Sequence, residues 1–268
     1  HPRDRRQRQM CIRDSQYMLF FTQKGKCFWM RVYEIPEGSR TSKGRAIQNL
    51  INIEQDDKLK AFICTKDLKD EEYINSHYVI MATKKGQVKK TSLEQYSRPR
   101  VNGINAITIK ENDELLEAKL TDGNSQVMLA LKSGKAIRFE EAKTRPMGRN
   151  ASGVRGIRLQ HDKDEVIGMV AVNDMESNIL VVSSNGYGKR SRLDDYRITN
   201  RGGKGVKTIS ITEKTGDLVA IKNVDDTNGL MIINKSGIAI RMAVKNLRVM
   251  GRACLLYTSD AADDLVCV

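Results

Sequence analysis

The chain has 268 residues and carries 46 Lys and Arg against 33 Asp and Glu, a net charge of +13. An excess of that size points to a polyanionic partner: DNA, RNA or an anionic membrane face. No stretch approaches the roughly 20 apolar residues of a membrane span, and no basic amphipathic helix stands out, which argues against the membrane. Five cysteines (Cys11, Cys27, Cys64, Cys254 and Cys267) form no C-x-x-C pair. Neither a zinc site nor a disulfide framework is supported, and a reducing cytoplasm is the simplest setting.

Residues 1–15 (HPRDRRQRQMCIRDS) are basic and polar, with no signal-peptide pattern. From residue 16 onward a run of apolar, strand-forming residues meets a glycine turn and returns as a basic strand, five times over. The hairpins are residues 18–26 around Gly25, 78–90 around Gly86, 126–138 around Gly134, 178–190 around Gly186 and 229–241 around Gly237. The turn glycines lie 61, 48, 52 and 51 residues apart. A fixed period near fifty is the mark of a repeat architecture.

Within the second repeat, residues 78–82 are continuously apolar, as expected of a strand buried on both faces. Residues 87–91 alternate in part and are expected to carry their charge outward. Residues 106–109 predict a third strand, and 115–120 a fourth after an Asp113-Glu114 turn. The same second half recurs at 46–53 then 59–63, at 156–159 then 166–170, and at 206–211 then 218–221. Four short strands per repeat is the size of one propeller blade. The expected fold is therefore all-β, a β-propeller-like ring of repeated four-stranded blades, about five of them, the last incomplete.

The motif breaks off after Arg252 and Ala253. Residues 254–268 (CLLYTSDAADDLVCV) do not fit the repeat, and like residues 1–15 they resemble translated adapter read-through, with natural disordered tails as the alternative. The expected domain is 16–253. The charges of the two tails cancel, so the whole excess belongs to that domain.

Ten residues after each turn glycine stand Ile35, Tyr96, Thr144, Tyr196 and Leu247, a position read as packing rather than as a catalytic tyrosine. The acidic pairs Asp56-Asp57, Asp113-Glu114 and Asp164-Glu165 recur before a strand and read as turn residues rather than metal ligands. Trp29 reads as blade packing rather than base stacking, and the isolated His77 and His161 are assigned no site. No nucleophile–base pair, phosphate loop after a strand or metal cluster is visible, which argues against an enzyme.

A second family of loops follows the hairpins: SRTSKGR at 39–45, SRPRVNG at 97–103, RNASGVRG at 149–156 and TNRGGKG at 199–205. With these and the segments VYEIPEGSRTSKGRAIQNL (32–50), RPMGRNASGVRGIRL (145–159), NGYGKRS (185–191) and RVMGRA (248–253), residues 16–253 resemble the C-terminal β-pinwheel domain of bacterial DNA gyrase A. The resemblance implies a non-catalytic module that bends duplex DNA around a basic rim in support of negative supercoiling. It implies no cofactor in this chain, although the parent enzyme would use ATP and magnesium. The implied partners are double-stranded DNA, the rest of gyrase A, and gyrase B in a heterotetramer, in the bacterial cytoplasm at the nucleoid. The family's first-blade box, Q-R-R-G-G-K-G, would precede residue 16, and residues 200–205 are similar to it at a later repeat position. The alternatives are the related C-terminal domain of the topoisomerase IV counterpart of gyrase A and a propeller serving as a protein-interaction platform.

The cations expected on DNA are Lys24, Lys26, Arg40, Lys43 and Arg45 in the first repeat and Lys84, Lys85, Lys89, Lys90, Arg98 and Arg100 in the second. The third offers Lys132, Lys135, Arg149 and Arg155. The fourth offers Lys189, Arg190, Arg201 and Lys204 with Gly202, Gly203 and Gly205, and the fifth Lys235. Wrapping without sequence choice needs phosphate neutralisation spread along a surface, not base-reading side chains. Glycines beside the cations let backbone N–H groups approach phosphates. Arg201 and Lys204, flanking Gly202 and Gly203, are expected to make the strongest single contact.

Overall fold

The computed structural model describes residues 16–36, 45–233 and 239–252, and nearly all of its regular structure is β. In chain order the strands are β1 (Gln16–Thr22), β2 (Lys26–Arg31), β3 (Leu59–Asp67), β4 (Tyr78–Thr83), β5 (Gln87–Ser92), β6 (Ile104–Asn105), β7 (Leu115–Thr121), β8 (Gln126–Leu131) and β9 (Lys135–Glu140). They continue with β10 (Val154–Arg155), β11 (Val166–Val172), β12 (Asn178–Ser183), β13 (Gly188–Arg192), β14 (Val206–Lys207), β15 (Leu218–Val224), β16 (Gly229–Ile233) and β17 (Ala239–Ala243). Among the described residues one short α-helix, α1 (Glu71–Ser76), interrupts them, capped by the Asp70 carboxylate, which accepts from the Tyr73 N–H. The sequence period does not announce it.

Five antiparallel strand pairs flank the expected glycine turns: β1–β2, β4–β5, β8–β9, β12–β13 and β16–β17, with Gly237 itself outside the described residues. The expected fourth strand of each repeat also returns to the first strand of its own hairpin, β3 to β1, β7 to β4, β11 to β8 and β15 to β12. The third strand does not stay at home. β6 pairs with β2, β10 with β5 and β14 with β9, so each four-stranded sheet takes its last strand from the following repeat. The sheets run β3–β1–β2–β6, β10–β5–β4–β7 and β11–β8–β9–β14, followed by β13–β12–β15 and β16–β17.

The long third strands expected at 106–109, 156–159 and 206–211 shrink to the two-residue strands at 104–105, 154–155 and 206–207, and 46–53 holds only a 3-10 turn at Ile47–Asn49. The physical reason is a crossing. Past its short ladder, each segment runs over the turn of the preceding hairpin. The Gly25 carbonyl accepts from the N–H groups of Ala106 and Ile107, Gly86 from Gly156 and Ile157, and Gly134 from Thr208 and Ile209. At Gly134 a Cβ would lie 2.7 Å from the Ile209 carbonyl oxygen, and at Gly86 3.0 Å from that of Ile157. These turns need glycine twice over, for a φ near +80° and for the chain lying on top.

The chain groups into two compact units. Of the described residues, the first comprises those from 16 to 83, 88–123 and 145–154, and its core joins Leu19 and Phe21 to Val79, Met81, Tyr96, Ile107 and Leu115. The Phe21 and Tyr96 rings meet edge to face at 5.9 Å, a geometry that adds to their area burial. Of the described residues, the second comprises 84–87, 124–144 and those from 155 to 252, with Met128, Val170, Ile179, Val181, Tyr196 and Ile221 at its centre. Tyr96 and Tyr196 are completely buried, in keeping with a packing position; burial pushes the Tyr196 phenol up to about 12.

Candidate nucleic-acid interface

The expected cations fall into three groups with different surroundings. At the hairpin tips, lysines meet carboxylates. Lys24 donates to Glu54 and Asp56, and Lys26 to Glu54. Those two ammonium groups, Lys26 foremost, hold the Glu54 carboxyl down at about 2. Lys84 pairs with Glu165 and Lys132 with Asp217, while Lys135 donates to the Gln160 side chain. The acidic pairs before each fourth strand are the turn residues the sequence suggests. Asp57 accepts from the Lys24 N–H, and Asp164 accepts from the Ser133 N–H and hydroxyl. Lys85 is exposed at the tip beside Lys84.

The second group is a correction. Lys89, Lys90, Lys189 and Arg190, on the returning strands, were expected to face outward, yet each is at most 5% exposed. The Lys89 ammonium donates to the carbonyls of Ala106 (2.6 Å) and Arg149 (2.5 Å). Lys189 donates to the Arg252 carbonyl, and Arg190 to Val244 and Asp226. Lys90 sits over the Tyr78 ring, 4.0 Å from its centroid. Burial, with Arg149 as a smaller contributor, lowers Lys89 to about 8. An alternating pattern reads as outward-facing charge only if the outer face stays open. Here backbone carbonyls of other segments cover it, which takes these four cations out of reach of a phosphate.

Arg138, four residues past Gly134, belongs with this group. It is 5% exposed and donates to the Leu193 and Tyr196 carbonyls at 2.8 and 2.9 Å. Trp29 holds the same repeat position, and its indole N–H donates to the Tyr96 carbonyl at 2.9 Å. The packing reading of Trp29 therefore stands.

The third group is the loops. Arg45, Arg98, Arg100 and Arg155 are exposed and Arg149 is partly so, with no ion pair among the described residues. In the fourth repeat, Lys204 is exposed, but Arg201 is a brace: its Nε donates to the Lys143 carbonyl (3.1 Å) and its Nη1 to that of Arg155 (3.2 Å). Arg252, at the same repeat position, repeats the brace on Asp195 and Lys207. The Gly202 N–H, expected to reach a phosphate, donates instead to the Gly156 carbonyl at 2.6 Å. Gly205 has φ +72° and lies so close to Ala136 that a Cβ would come within 2.7 Å of its carbonyl oxygen. Gly203 contributes its carbonyl, which accepts from the Arg158 N–H. These glycines serve chain packing first. Arg40, Lys43 and Lys235 lie outside the described residues.

The sequence reading passed over a row of arginines. Arg145, Arg197 and Arg248 each stand eleven residues after a turn glycine, and all three are exposed. The residue that follows each, Pro146, Ile198 or Val249, bridges to the preceding hairpin at Lys90, Arg138 or Arg190. The signal lay in the sequence: position eleven is Pro36 and Ser97 in the first two repeats and arginine in the last three.

Residues 16–66, 77–122, 127–173, 177–225 and 230–255 match the family described as DNA gyrase C-terminal domain, beta-propeller. The chain belongs to that family. The five matched segments follow the five repeats, and the β-propeller class agrees with the sheets described above. The chain is similar to the DNA gyrase A protein of Staphylococcus epidermidis (strain ATCC 12228 / FDA PCI 1200), 44% identical over 238 residues, which cover 88% of this chain and 26% of that protein. It thus spans about a quarter of the length of the curated relatives it matches, and the matching quarter is the non-catalytic C-terminal domain rather than the catalytic parts. Among solved structures, the C-terminal domain of a DNA topoisomerase IV aligns with TM-score 0.79 at 24% identity, over 89% of this chain and 73% of that one. A DNA gyrase A C-terminal domain aligns with TM-score 0.77 at 21% identity, over 92% and 78%. At such identities the solved structures speak to the shared fold, while the 44% identity favours the gyrase branch over topoisomerase IV.

Proposed function

We propose that this gyrase-type C-terminal domain holds duplex DNA on its cationic loops, as the non-catalytic DNA-wrapping part of a bacterial type II topoisomerase. The partners in this reading are double-stranded DNA, the remainder of gyrase A, and gyrase B, at the nucleoid, with ATP and magnesium used elsewhere in the parent enzyme. The observation that carries it is the division of the cations. Lysines at the hairpin tips are largely met by carboxylates, and the returning-strand cations are buried on carbonyls. The loop arginines and Lys204 keep their charge for an outside anion. DNA contact therefore belongs to the loops that follow the hairpins rather than to the hairpin tips.

Wrapping by phosphate neutralisation is independent of sequence and steep in salt. With roughly 6–10 phosphates neutralised, affinity for a random duplex falls about 10³–10⁵-fold between 50 and 200 mM salt. Fluorescence anisotropy with two unrelated duplexes over that range measures it. A flat slope, or a strong preference for one sequence, would sink the proposal.

A further inference from the structure

The second unit holds a cleft of about 220 Å³ between the β8–β9 hairpin and the 197–205 loop. Arg197, Thr199, Gly203 and Lys204 line it together with Ala136 and Ile137. The volume is below the ~300–1,000 Å³ typical of pockets for drug-sized molecules, and suits a small group. Arg197 and Lys204 are exposed and make no side-chain hydrogen bond or ion pair to the described residues. Arg138, also in the lining, is buried, its guanidinium taken up by the Leu193 and Tyr196 carbonyls and 4.0 Å from an Asp194 carboxylate oxygen. No carboxylate is among the lining residues.

The loop is held firmly. The Thr199 N–H donates to the Arg138 carbonyl (2.8 Å), the Arg158 N–H to Gly203 (2.9 Å) and the Gln160 side chain to the Lys204 carbonyl (3.2 Å). Arg201 ties the same loop to Lys143 and Arg155. Two cations thus overhang a small cleft on a backbone that has little left to reorganise, which is what a preorganised anion site requires.

We propose that this cleft seats one backbone phosphodiester of the bound duplex, gripped by Arg197 and Lys204, with Arg201 positioning the loop rather than touching the phosphate. The proposal rests on the duplex-binding reading above and names a contact within it. Gly203 is not required there by sterics: a Cβ would stand 3.4 Å from Ile137 Cδ1, an ordinary contact, at a backbone conformation that does not itself demand glycine.

The test compares the whole chain with the double variant Arg197→Ala/Lys204→Ala and with Lys132→Ala, whose charge is already met by Asp217. Anisotropy on a random duplex is read across 50–200 mM salt. The double variant should lower the log–log salt slope by about two units and weaken binding roughly 10- to 100-fold near 0.1 M salt, uniformly across sequences. Lys132→Ala should change binding less than about threefold. Equal losses from both variants, or none from either while the parent chain keeps its steep slope, would overturn the seat and leave the wrapping proposal standing. A parent chain without duplex affinity would overturn both. Melting in inorganic phosphate against chloride of matched ionic strength separates the sources. A gain in Tm that the double variant abolishes, with its duplex affinity unchanged, would assign the cleft to free phosphate and refute the duplex contact.

Discussion

Replacing Gly134 with Ala tests the crossing that builds this fold. An L residue at φ +79° costs about 1–2 kcal/mol in the left-handed region. The added Cβ would also sit 2.7 Å from the Ile209 carbonyl oxygen and 2.9 Å from Ile211 Cγ1. Relief of that overlap by shifting the crossing segment adds about 1–3 kcal/mol, as overpacking does in a close-packed core. Two other glycines separate these effects. Gly202, also in the second unit, has φ +81° but its Cβ would meet nothing closer than 3.5 Å, so Gly202→Ala should lose only the conformational part, about 1–2 kcal/mol. Gly148, in the first unit, has open space and no positive φ, and Gly148→Ala should be neutral or gain up to about 1 kcal/mol from a stiffer unfolded chain. The expected order of stability is Gly148→Ala above Gly202→Ala above Gly134→Ala, with a total loss of about 2–5 kcal/mol for the last. Calorimetry and far-UV circular dichroism in urea measure it. If Gly134→Ala lost no more than Gly202→Ala, the segment at 208–211 would not be seated on the turn, and the account of the shortened third strands would fail.

Two further outcomes follow from the buried cations. Arg138→Met strips the Leu193 and Tyr196 carbonyls of their donor and should cost about 2–4 kcal/mol in a denaturant titration, whereas Arg155→Met, at an exposed position, should stay within about 0.5 kcal/mol. Lys89 is lowered to about 8 from 10.5, so between those values the unfolded chain binds the extra proton and stability rises with pH through that window. Lys89→Met should remove up to about 3 kcal/mol of that rise, read as the difference between the two proteins' pH–stability curves; identical curves would refute the buried ammonium.

Much of the fold was legible because its signals are local. A turn glycine, an apolar run before it and a basic strand after it depend on neighbours in sequence, and all five strand pairs stand where those signals put them. Pairing partners are another matter. Nothing in residues 104–105 says that their ladder lies with β2 rather than with β5, because backbone hydrogen bonding is blind to side-chain identity. The choice is made by which edge lies beside the turn that the chain goes on to cross at Gly25, and that is a property of two repeats together. The helix at Glu71–Ser76 was missed for the opposite reason: it is one insertion in one repeat, and a period-based reading averages it away.

The site was harder to read, because charge in a sequence carries no address. Lys89 and Lys204 look alike on the page, yet one is sealed under two carbonyls and the other stands in solvent. A clue did exist. Four residues past each turn glycine stand Trp29, Lys90, Arg138, Arg190 and Arg241, an indole among cations. A position selected for contact with phosphate has no use for tryptophan, which brings no charge. One selected for an N–H donor accepts all of them, since Trp, Lys and Arg side chains share only the ability to donate without accepting. Trp29, Arg138 and Arg190 each reach a carbonyl in or beside the next repeat's 3-10 turn, at Tyr96, at Leu193 and Tyr196, and at Val244. Position eleven differs: it holds Pro36 and Ser97 in the first two repeats and arginine in the last three, and Arg145, Arg197 and Arg248 are all exposed, with no partner for their side chains among the described residues.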